Sequence, residues 1–139
     1  MKRQRLNQTL GPCLTLIACV VFGAAHADEQ VRLDYLLHCS GCHLPTGEGA
    51  NGVRGLNELG PIVSRPGGRA YLVQVPDASQ TPISNANLTQ ITNWILREFN
   101  AADLPKDFEP LTEAEVEVAR QVTLLDPRKR REEILSYSR

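Results

Sequence analysis

The sequence predicts an all-α fold, and three observations support this prediction. Several segments place apolar residues three and four positions apart, which is the spacing of one helix face. We find no convincing strand pattern and no internal repeat. Residues 40–67 are rich in glycine and proline. A loop of that length in a small domain is unusual unless it wraps around something.

The composition narrows the classes of function. The chain has 139 residues, with 15 basic and 16 acidic side chains and a formal charge of −1. This length suggests one domain, and this balance excludes a strongly basic nucleic-acid binder or a disordered acidic tail. Four cysteines are too few for a disulfide scaffold. The single methionine is residue 1.

Residues 1–27 have the layout of a secretory signal peptide. A basic start precedes an apolar run from Leu10 to Ala25, and Ala25-His26-Ala27 is a small-x-small cleavage site. The run has 16 residues, fewer than the roughly 20 that span a bilayer. We expect export to the periplasm and cleavage after Ala27. Lipidation at Cys19 and a retained membrane anchor are the alternatives.

Cleavage changes the composition. The mature chain, residues 28–139, has 112 residues, and 12 basic minus 16 acidic side chains give a charge of −4. Cys13, Cys19 and His26 leave with the signal peptide. The mature chain keeps two cysteines and two histidines and has no methionine. All four of these cysteines and histidines lie within residues 38–43, so this segment holds the candidate metal-binding and redox-active side chains.

The first half of the mature chain is predicted to begin with a helix over residues 28–38, with Val31, Tyr35 and Leu36 on one face. After the loop over residues 40–67, we expect a short helix over residues 68–75 that Pro76 ends. Residues 77–82 are expected to form a turn.

A longer helix is predicted from Ser84 to Phe99. Ser84 is a good N-cap residue, with Ile83 and Leu88 placed for a hydrophobic staple. Apolar residues then recur at spacings of three and four, which predicts one buried stripe. Its members are Leu88, Ile91, Ile95 and Phe99, with Trp94 beside them as a core aromatic.

Residues 100–139 are predicted to form a linker and two helices. Thr112 and Glu115 form a capping box, and Asp126-Pro127 is an N-cap and N1 pair. The apolar face of the first helix would comprise Val116, Ala119, Val122 and Leu125. The four basic residues 128–131 are expected to be a solvated helix face, with a docking patch for an acidic partner as the alternative.

Cys39-Ser40-Gly41-Cys42-His43 has the c-type haem attachment pattern. Two thiols separated by two residues can form thioethers with two vinyl groups on one porphyrin edge, and the following histidine can bind the iron. A thioredoxin-like dithiol, which needs a preceding strand, a zinc site, which needs four ligands, and an ordinary disulfide are the alternatives. We expect one covalent haem c, bound by Cys39 and Cys42, with His43 as an axial iron ligand.

Residues 28–99 resemble class I cytochromes c. A helix leads into the motif at residues 39–43, a glycine-rich stretch over residues 43–49 is similar to the family's post-haem loop, and residues 84–99 would be its C-terminal helix. The resemblance implies a small helical domain wrapped around one haem, in which Tyr35 or Leu36 packs near Trp94. Residues 100–139 extend beyond this family core.

The chain departs from that family at the second iron ligand. The family's Met-Pro aligns with Val75-Pro76, and Val75 cannot bind iron. His38 is expected to lie on the helix away from this face. We therefore expect mainly high-spin iron with water or a weak ligand opposite His43, and a lower reduction potential than Met/His ligation gives. The only mature lysines, Lys106 and Lys129, both lie in the tail. The remaining candidates are the mature N-terminal amine, a partner residue and the neutral side chains of Gln74, Gln80, Ser84, Asn85 and Asn87.

A second departure concerns the residue that orients the proximal histidine. The family often has a proline whose neighbouring carbonyl accepts a hydrogen bond from that histidine, and here Arg54 stands in its place. The partner of His43 Nδ1–H is thus open at this point. Arg54 or Arg69 could pair with a haem propionate, or each could be exposed to solvent.

These expectations favour an electron carrier and not an enzyme. The protein would move single electrons between a periplasmic oxidoreductase and a downstream acceptor, without nucleic acid and without a membrane span in the mature form. The C-terminal tail is a candidate docking element. The alternatives are an open-site haem protein that binds NO, CO or peroxide, as a sensor or weak peroxidase, and an accessory haem subunit of a dehydrogenase.

Overall fold

The computed structural model describes residues 27–137, which form helices and contain no strand. This confirms the all-α prediction. The predicted signal peptide, with Cys13, Cys19 and His26, lies outside the described residues except for Ala27. The helices are α1 (residues 27–38), α2 (Ser40–His43), α3 (Gly60–Val63), α4 (Gly68–Gln74), α5 (Pro76–Gln80), α6 (Asn85–Asn100), α7 (Glu113–Ala119) and α8 (Pro127–Ser136).

Helix α6 carries the centre of the core. Its N-cap is Ser84, whose side chain accepts a hydrogen bond from the backbone N–H of Asn87, as predicted. Leu88, Ile91 and Ile95 are buried, and Phe99 packs against them. The predicted stripe is therefore confirmed.

An aromatic cluster joins α1 to α6. The ring of the fully buried Tyr35 lies 5.1 Å from that of Trp94 and 5.5 Å from that of Phe99, measured between centroids. Trp94 and Phe99 meet edge to face at 5.3 Å. Such aromatic pairs each contribute about 1 kcal/mol beyond burial of their area. The cluster confirms the predicted packing of Tyr35 near Trp94.

The segment predicted as loop contains two short helices, α2 and α3, and the predicted turn over residues 77–82 contains most of α5. Pro76 ends α4, as predicted, but it also occupies the first turn of α5. Proline is favoured there because the first N–H groups of a helix have no partner within it. The turn prediction was wrong because it used proline only as a helix terminator.

The C-terminal extension is folded back onto the rest of the chain. Helix α7 packs against α4 and α6, and α8 packs against α3 and α4. The predicted capping box of Thr112 and Glu115 is present, and the side chain of Asp126 caps α8. Helix α7 ends at Ala119, however, so Val122 and Leu125 are exposed and the predicted apolar face was too long.

Three polar contacts fix this extension. The amide of Asn93 exchanges two hydrogen bonds with the backbone of Leu111, at 2.7 and 2.9 Å. Arg69 forms a two-pronged ion pair with Glu115, with both N–O distances at 2.8 Å. Arg120 donates to backbone carbonyls that precede α6.

Everything described from Val31 onward belongs to one compact unit. Within residues 27–137, no helix has the length and apolar character needed to cross a membrane.

Candidate functional site

The two cysteines and His43 lie at the junction of α1 and α2. Cys39 breaks the helix between them, with φ −123° and ψ −34°, while its N–H still donates to the carbonyl of Tyr35. The N–H of His43 donates to the carbonyl of Cys39. Both cysteines are free thiols, with Cys39 half-buried and Cys42 exposed. The motif thus forms one helical turn that holds two thiols and an imidazole close together.

The ring of His43 is held by the backbone of the following loop. Its Nδ1 lies 3.0 Å from the carbonyl oxygen of Arg54. Because a carbonyl can only accept, Nδ1 carries the proton and the Nε2 lone pair is free. Burial lowers the pKa of His43, while the Arg54 carbonyl and the carboxylate of Asp77 act in the opposite direction. The net direction favours the neutral imidazole, which is the form that binds a metal.

This hydrogen bond identifies the partner of His43 that the sequence left open. The acceptor belongs to Arg54 itself, and it is a main-chain atom. The side chain at residue 54 is therefore free to vary as long as the loop keeps its course. Sequence reasoning could not find the bond because no side chain marks it.

The loop between His43 and Arg54 is fixed from both sides. The hydroxyl of Tyr35 donates to the carbonyl of Leu44, and the N–H of Leu56 donates to the carbonyl of Gly47 at 2.6 Å. Gly47 has φ +76°, and a Cβ there would lie 2.7 Å from the ring of Phe99. Only glycine combines this backbone conformation with so close an approach. The aromatic cluster and the histidine loop are thus one packed structure.

A cavity of about 450 Å³ opens beside the motif. Cys39, Cys42 and His43 all line it, as do apolar side chains from the loop and from α4 and α6. Apart from the backbone of α2 and the chain neighbours of Gly41, no protein atom lies within 4 Å of the point where a Cβ at Gly41 would stand. The volume is within the usual range for ligand and cofactor sites. Its apolar lining residues include Leu56, Leu59, Leu72, Val75, Ile83, Leu88, Ile91 and Ile95.

Residues around the α4–α5 junction also line this cavity. Val75 and Pro76 are joined there by Asp77, Ala78 and Thr81. None of the described side chains that the sequence offered as weak second ligands lines the cavity. His38 does line it and is exposed. His38 therefore lies at the site, although its position on α1 had suggested that it lies away from it.

The structure separates Arg54 and Arg69, the two arginines that the sequence offered as partners of a haem propionate. Arg54 lines the cavity, whereas Arg69 is paired with Glu115 away from it. Arg128 and Arg131 of α8 also line the cavity. Arg131 is only 7% exposed, so the prediction that residues 128–131 form a solvated face was wrong for this residue. Both arginines were missed because nothing local in the sequence shows that α8 returns to the motif.

Two alternatives for the motif are disfavoured by this geometry. Burial raises the pKa of the Cys39 thiol to about 11, whereas a redox-active dithiol needs a thiol of lowered pKa. Helix α1, and not a strand, precedes the motif. Within residues 27–137, no group of three or more His, Cys, Asp or Glu side chains is arranged to hold a metal ion. The described residues therefore provide no four-ligand zinc site.

Comparison with known proteins adds no assignment, since no protein family, curated protein or solved structure matches the chain. Function has to be inferred from the residues that surround the cavity.

Proposed function

We propose that this protein is a monohaem c-type cytochrome that carries single electrons between a periplasmic oxidoreductase and a downstream acceptor. One observation carries the proposal: a neutral His43, oriented by the Arg54 carbonyl, stands beside two free thiols on the wall of an apolar cavity. The residues present fit a haem, because the cavity offers thiols, a free imidazole nitrogen and apolar walls together.

Cys39 and Cys42 would hold the haem covalently. Each thiol would add its S–H across one vinyl double bond, with sulfur bonding to one carbon and hydrogen to the other, so the addition would need no oxidant or reductant. Their separation of one helical turn suits two vinyl groups on the same porphyrin edge. Because Gly41 has no side chain, it lets the ring lie close to the α2 backbone.

His43 would bind the iron through Nε2. The hydrogen bond from Nδ1–H to the Arg54 carbonyl fixes the ring plane and makes Nε2 more basic. The haem supplies one-electron exchange at its iron. The buried side chains of α4 and α6 exclude water from the ring, and this burial tunes its potential.

The edge of the cavity would be the place where electrons enter and leave. Leu37, His38 and Cys42 line the cavity and are exposed, Leu37 at 77%. An exposed apolar rim beside the cofactor is suited to brief contact with a redox partner, which needs only a small interface. This arrangement favours electron carriage over a reaction on a bound substrate.

A second function is favoured by the residues at the α4–α5 junction. Val75 stands where the family places its methionine, and no methionine occurs after residue 1. This favours the alternative of an open-site haem protein, in which this part of the cavity would receive NO, CO or peroxide. Asp77 and Thr81 would then supply polar contacts to the bound molecule.

Attachment of haem is tested by expressing the full chain in a bacterium that exports it and attaches haem c. We expect purified protein to keep its haem after denaturation in acid, with two thioether links in its mass and absorption spectrum. Replacing Cys39 and Cys42 by serine should abolish covalent attachment. Purified protein without bound haem, from cells that mature a control cytochrome, contradicts the proposal.

Axial ligation is tested with a matched pair of histidine variants. His43→Ala should change the absorption and EPR spectra of the iron, and His38→Ala should not. If His38→Ala changes the spin state, His38 is a ligand and the prediction of a weakly ligated iron is wrong. Rapid CO binding to the reduced protein would favour the ligand-binding function, and its absence would favour a closed electron carrier.

A further inference from the structure

We propose that Arg128 and Arg131 of α8 bind the two propionate carboxylates of the haem, so that the C-terminal extension forms part of the cofactor site. This inference rests on the proposed function and assigns a role to residues beyond the cytochrome-like core. The haem-bearing motif at residues 39–43 and this pair of arginines are almost 90 positions apart in the chain but line the same cavity.

Helix α8 is fixed in a position that directs these side chains to the cavity. It packs against α3 and α4, which lie on either side of the loop at residues 64–67. The Nη2 atom of Arg128 lies 3.4 Å from the carbonyl oxygen of Gly52, in the same loop as Arg54. Nη2 of Arg131 lies 3.0 Å from Oε2 of Glu58. Both arginines therefore contact the loop that orients His43.

Arg131 is buried, but its ion-pair partner is exposed. Its side chain is 8% exposed, whereas its partner Glu58 is 62% exposed. Both hydrogen bonds found for Arg131 among the described residues use the same nitrogen, Nη2. A guanidinium has five N–H donors in a planar fork, so Nε and Nη1 remain for another acceptor. Glu58 provides one carboxylate, and a second carboxylate in the cavity that Arg131 lines would accept from the remaining N–H groups.

Haem has the matching chemistry. Its two carboxylates are at the porphyrin edge remote from the vinyl groups, which Cys39 and Cys42 would fix. Arginine binds carboxylates through paired N–H groups, and two arginines along one helix provide one cation for each carboxylate. Three neighbouring arginines are engaged elsewhere: Arg69 with Glu115, Arg120 with backbone carbonyls and Arg130 with Glu133. Arg54 lines the cavity as well and is tested separately.

The test measures the reduction potential of the full haem-loaded chain between pH 5 and 9. Arg128→Gln and Arg131→Gln should each lower the potential, because an unpaired propionate stabilises the positively charged ferric iron. Each should also move the pH-dependent step of the potential to higher pH, since a carboxylate without its cation has a higher pKa. Arg130→Gln is the matched control, on the same helix and paired with Glu133, and should change neither quantity.

Two further variants keep the result decisive. Arg54→Gln tests the other arginine that lines the cavity, and a shift seen only there would overturn the assignment to α8. If Arg131→Gln folds poorly, Arg131→Lys is measured in its place. This variant keeps the positive charge, so its potential should stay near that of the wild type. Arg128 is exposed, so its variant should fold, and a result equal to Arg130→Gln overturns its role. Wild-type protein without haem overturns the proposed function as well, whereas haem-loaded protein with unshifted arginine variants overturns only this inference.

Discussion

Replacing Asn100 by alanine is expected to destabilise the wall of the cavity. Asn100 ends α6 and is 1% exposed. Its Oδ1 accepts from the N–H groups of Leu59 and Gly60, at 2.7 and 3.3 Å, and its Nδ2 donates to the carbonyl of Leu56 at 2.8 Å. Leu56 and Leu59 both line the cavity, so one side chain fixes this stretch of wall to the core.

The size of the effect follows from burial of the groups that lose their partner. Leu59 and Gly60 are buried, so their N–H groups would have no acceptor in Asn100→Ala, whereas the carbonyl of half-buried Leu56 can reach water. A buried donor without a partner costs roughly 1–3 kcal/mol. We therefore expect a loss of about 3 kcal/mol, which is a large part of the roughly 5–15 kcal/mol that stabilises a domain.

The assay is urea unfolding of the haem-loaded protein, followed by far-ultraviolet circular dichroism and by the haem absorption band. Asn93→Ala is the matched control, because Asn93 lies on the same helix and makes two similar bonds to Leu111 instead. We expect both variants to be less stable and Asn100→Ala to shift the haem band more, because Asn100, unlike Asn93, bonds to Leu56 and Leu59, which line the cavity. A loss below about 0.5 kcal/mol, which is typical of a surface substitution, would refute the burial argument.

Three further predictions concern other contacts. Tyr35→Phe should cost about 1 kcal/mol through the lost bond to Leu44. Burial raises the pKa of Tyr35 to about 12 from 10.0. The protonated hydroxyl therefore contributes fully to the stability of the folded state below pH 10, and this contribution is lost as pH rises through 12. Stability should then fall less steeply at alkaline pH in the variant. The Arg69 guanidinium lowers the pKa of Glu115 to about 2 from 4.5. The ion pair between Arg69 and Glu115 therefore contributes fully to the stability of the folded state above pH 4.5, and this contribution is lost as pH falls toward 2. After allowance for solvent exposure, Glu115→Gln should cost about 1 kcal/mol at pH 7 and flatten the acid limb in urea titrations, and an unchanged limb would contradict the pairing. Gly47→Ala should cost about 2 kcal/mol or more by thermal unfolding, because its positive φ and its contact with Phe99 both resist a Cβ; a neutral effect would mean that the loop relaxes freely.

Local patterns in the sequence predicted most of the helices. Ser84, the Thr112–Glu115 capping box and Asp126 each mark a helix start through a side chain that bonds the next turn, and all three caps are present. Such signals are reliable because the cause and the consequence lie within four residues of each other. The predicted contact between Tyr35 and Trp94 came from the family resemblance and is also present.

The errors occurred where distant parts of the chain decide the structure. The apolar residues Val122 and Leu125 continued the spacing of α7, but Ala119 ends the helix and Arg120 is used to bind the carbonyls of Ser79 and Ile83. Likewise, the charge of Arg131 predicted exposure, whereas a contact with Glu58, 73 positions earlier, allows its burial. Pairings of this range leave no mark in local periodicity.

The same long-range contacts explain how a small core and a long extension can belong to one site. About 72 residues bury little apolar surface, and such a domain is marginal without further support. The contacts of Asn93, Arg69 and Arg120 fix the extension against α4 and α6, and this brings Arg131 to the cavity. Binding that requires the folded state stabilises it by mass action. If the extension contacts the haem, each contact that holds the extension also stabilises haem binding, and the haem in turn stabilises the extension. Asn93→Ala should therefore lose more stability in the haem-loaded chain than in the same chain produced without haem, and equal losses would show that the extension and the cofactor are independent.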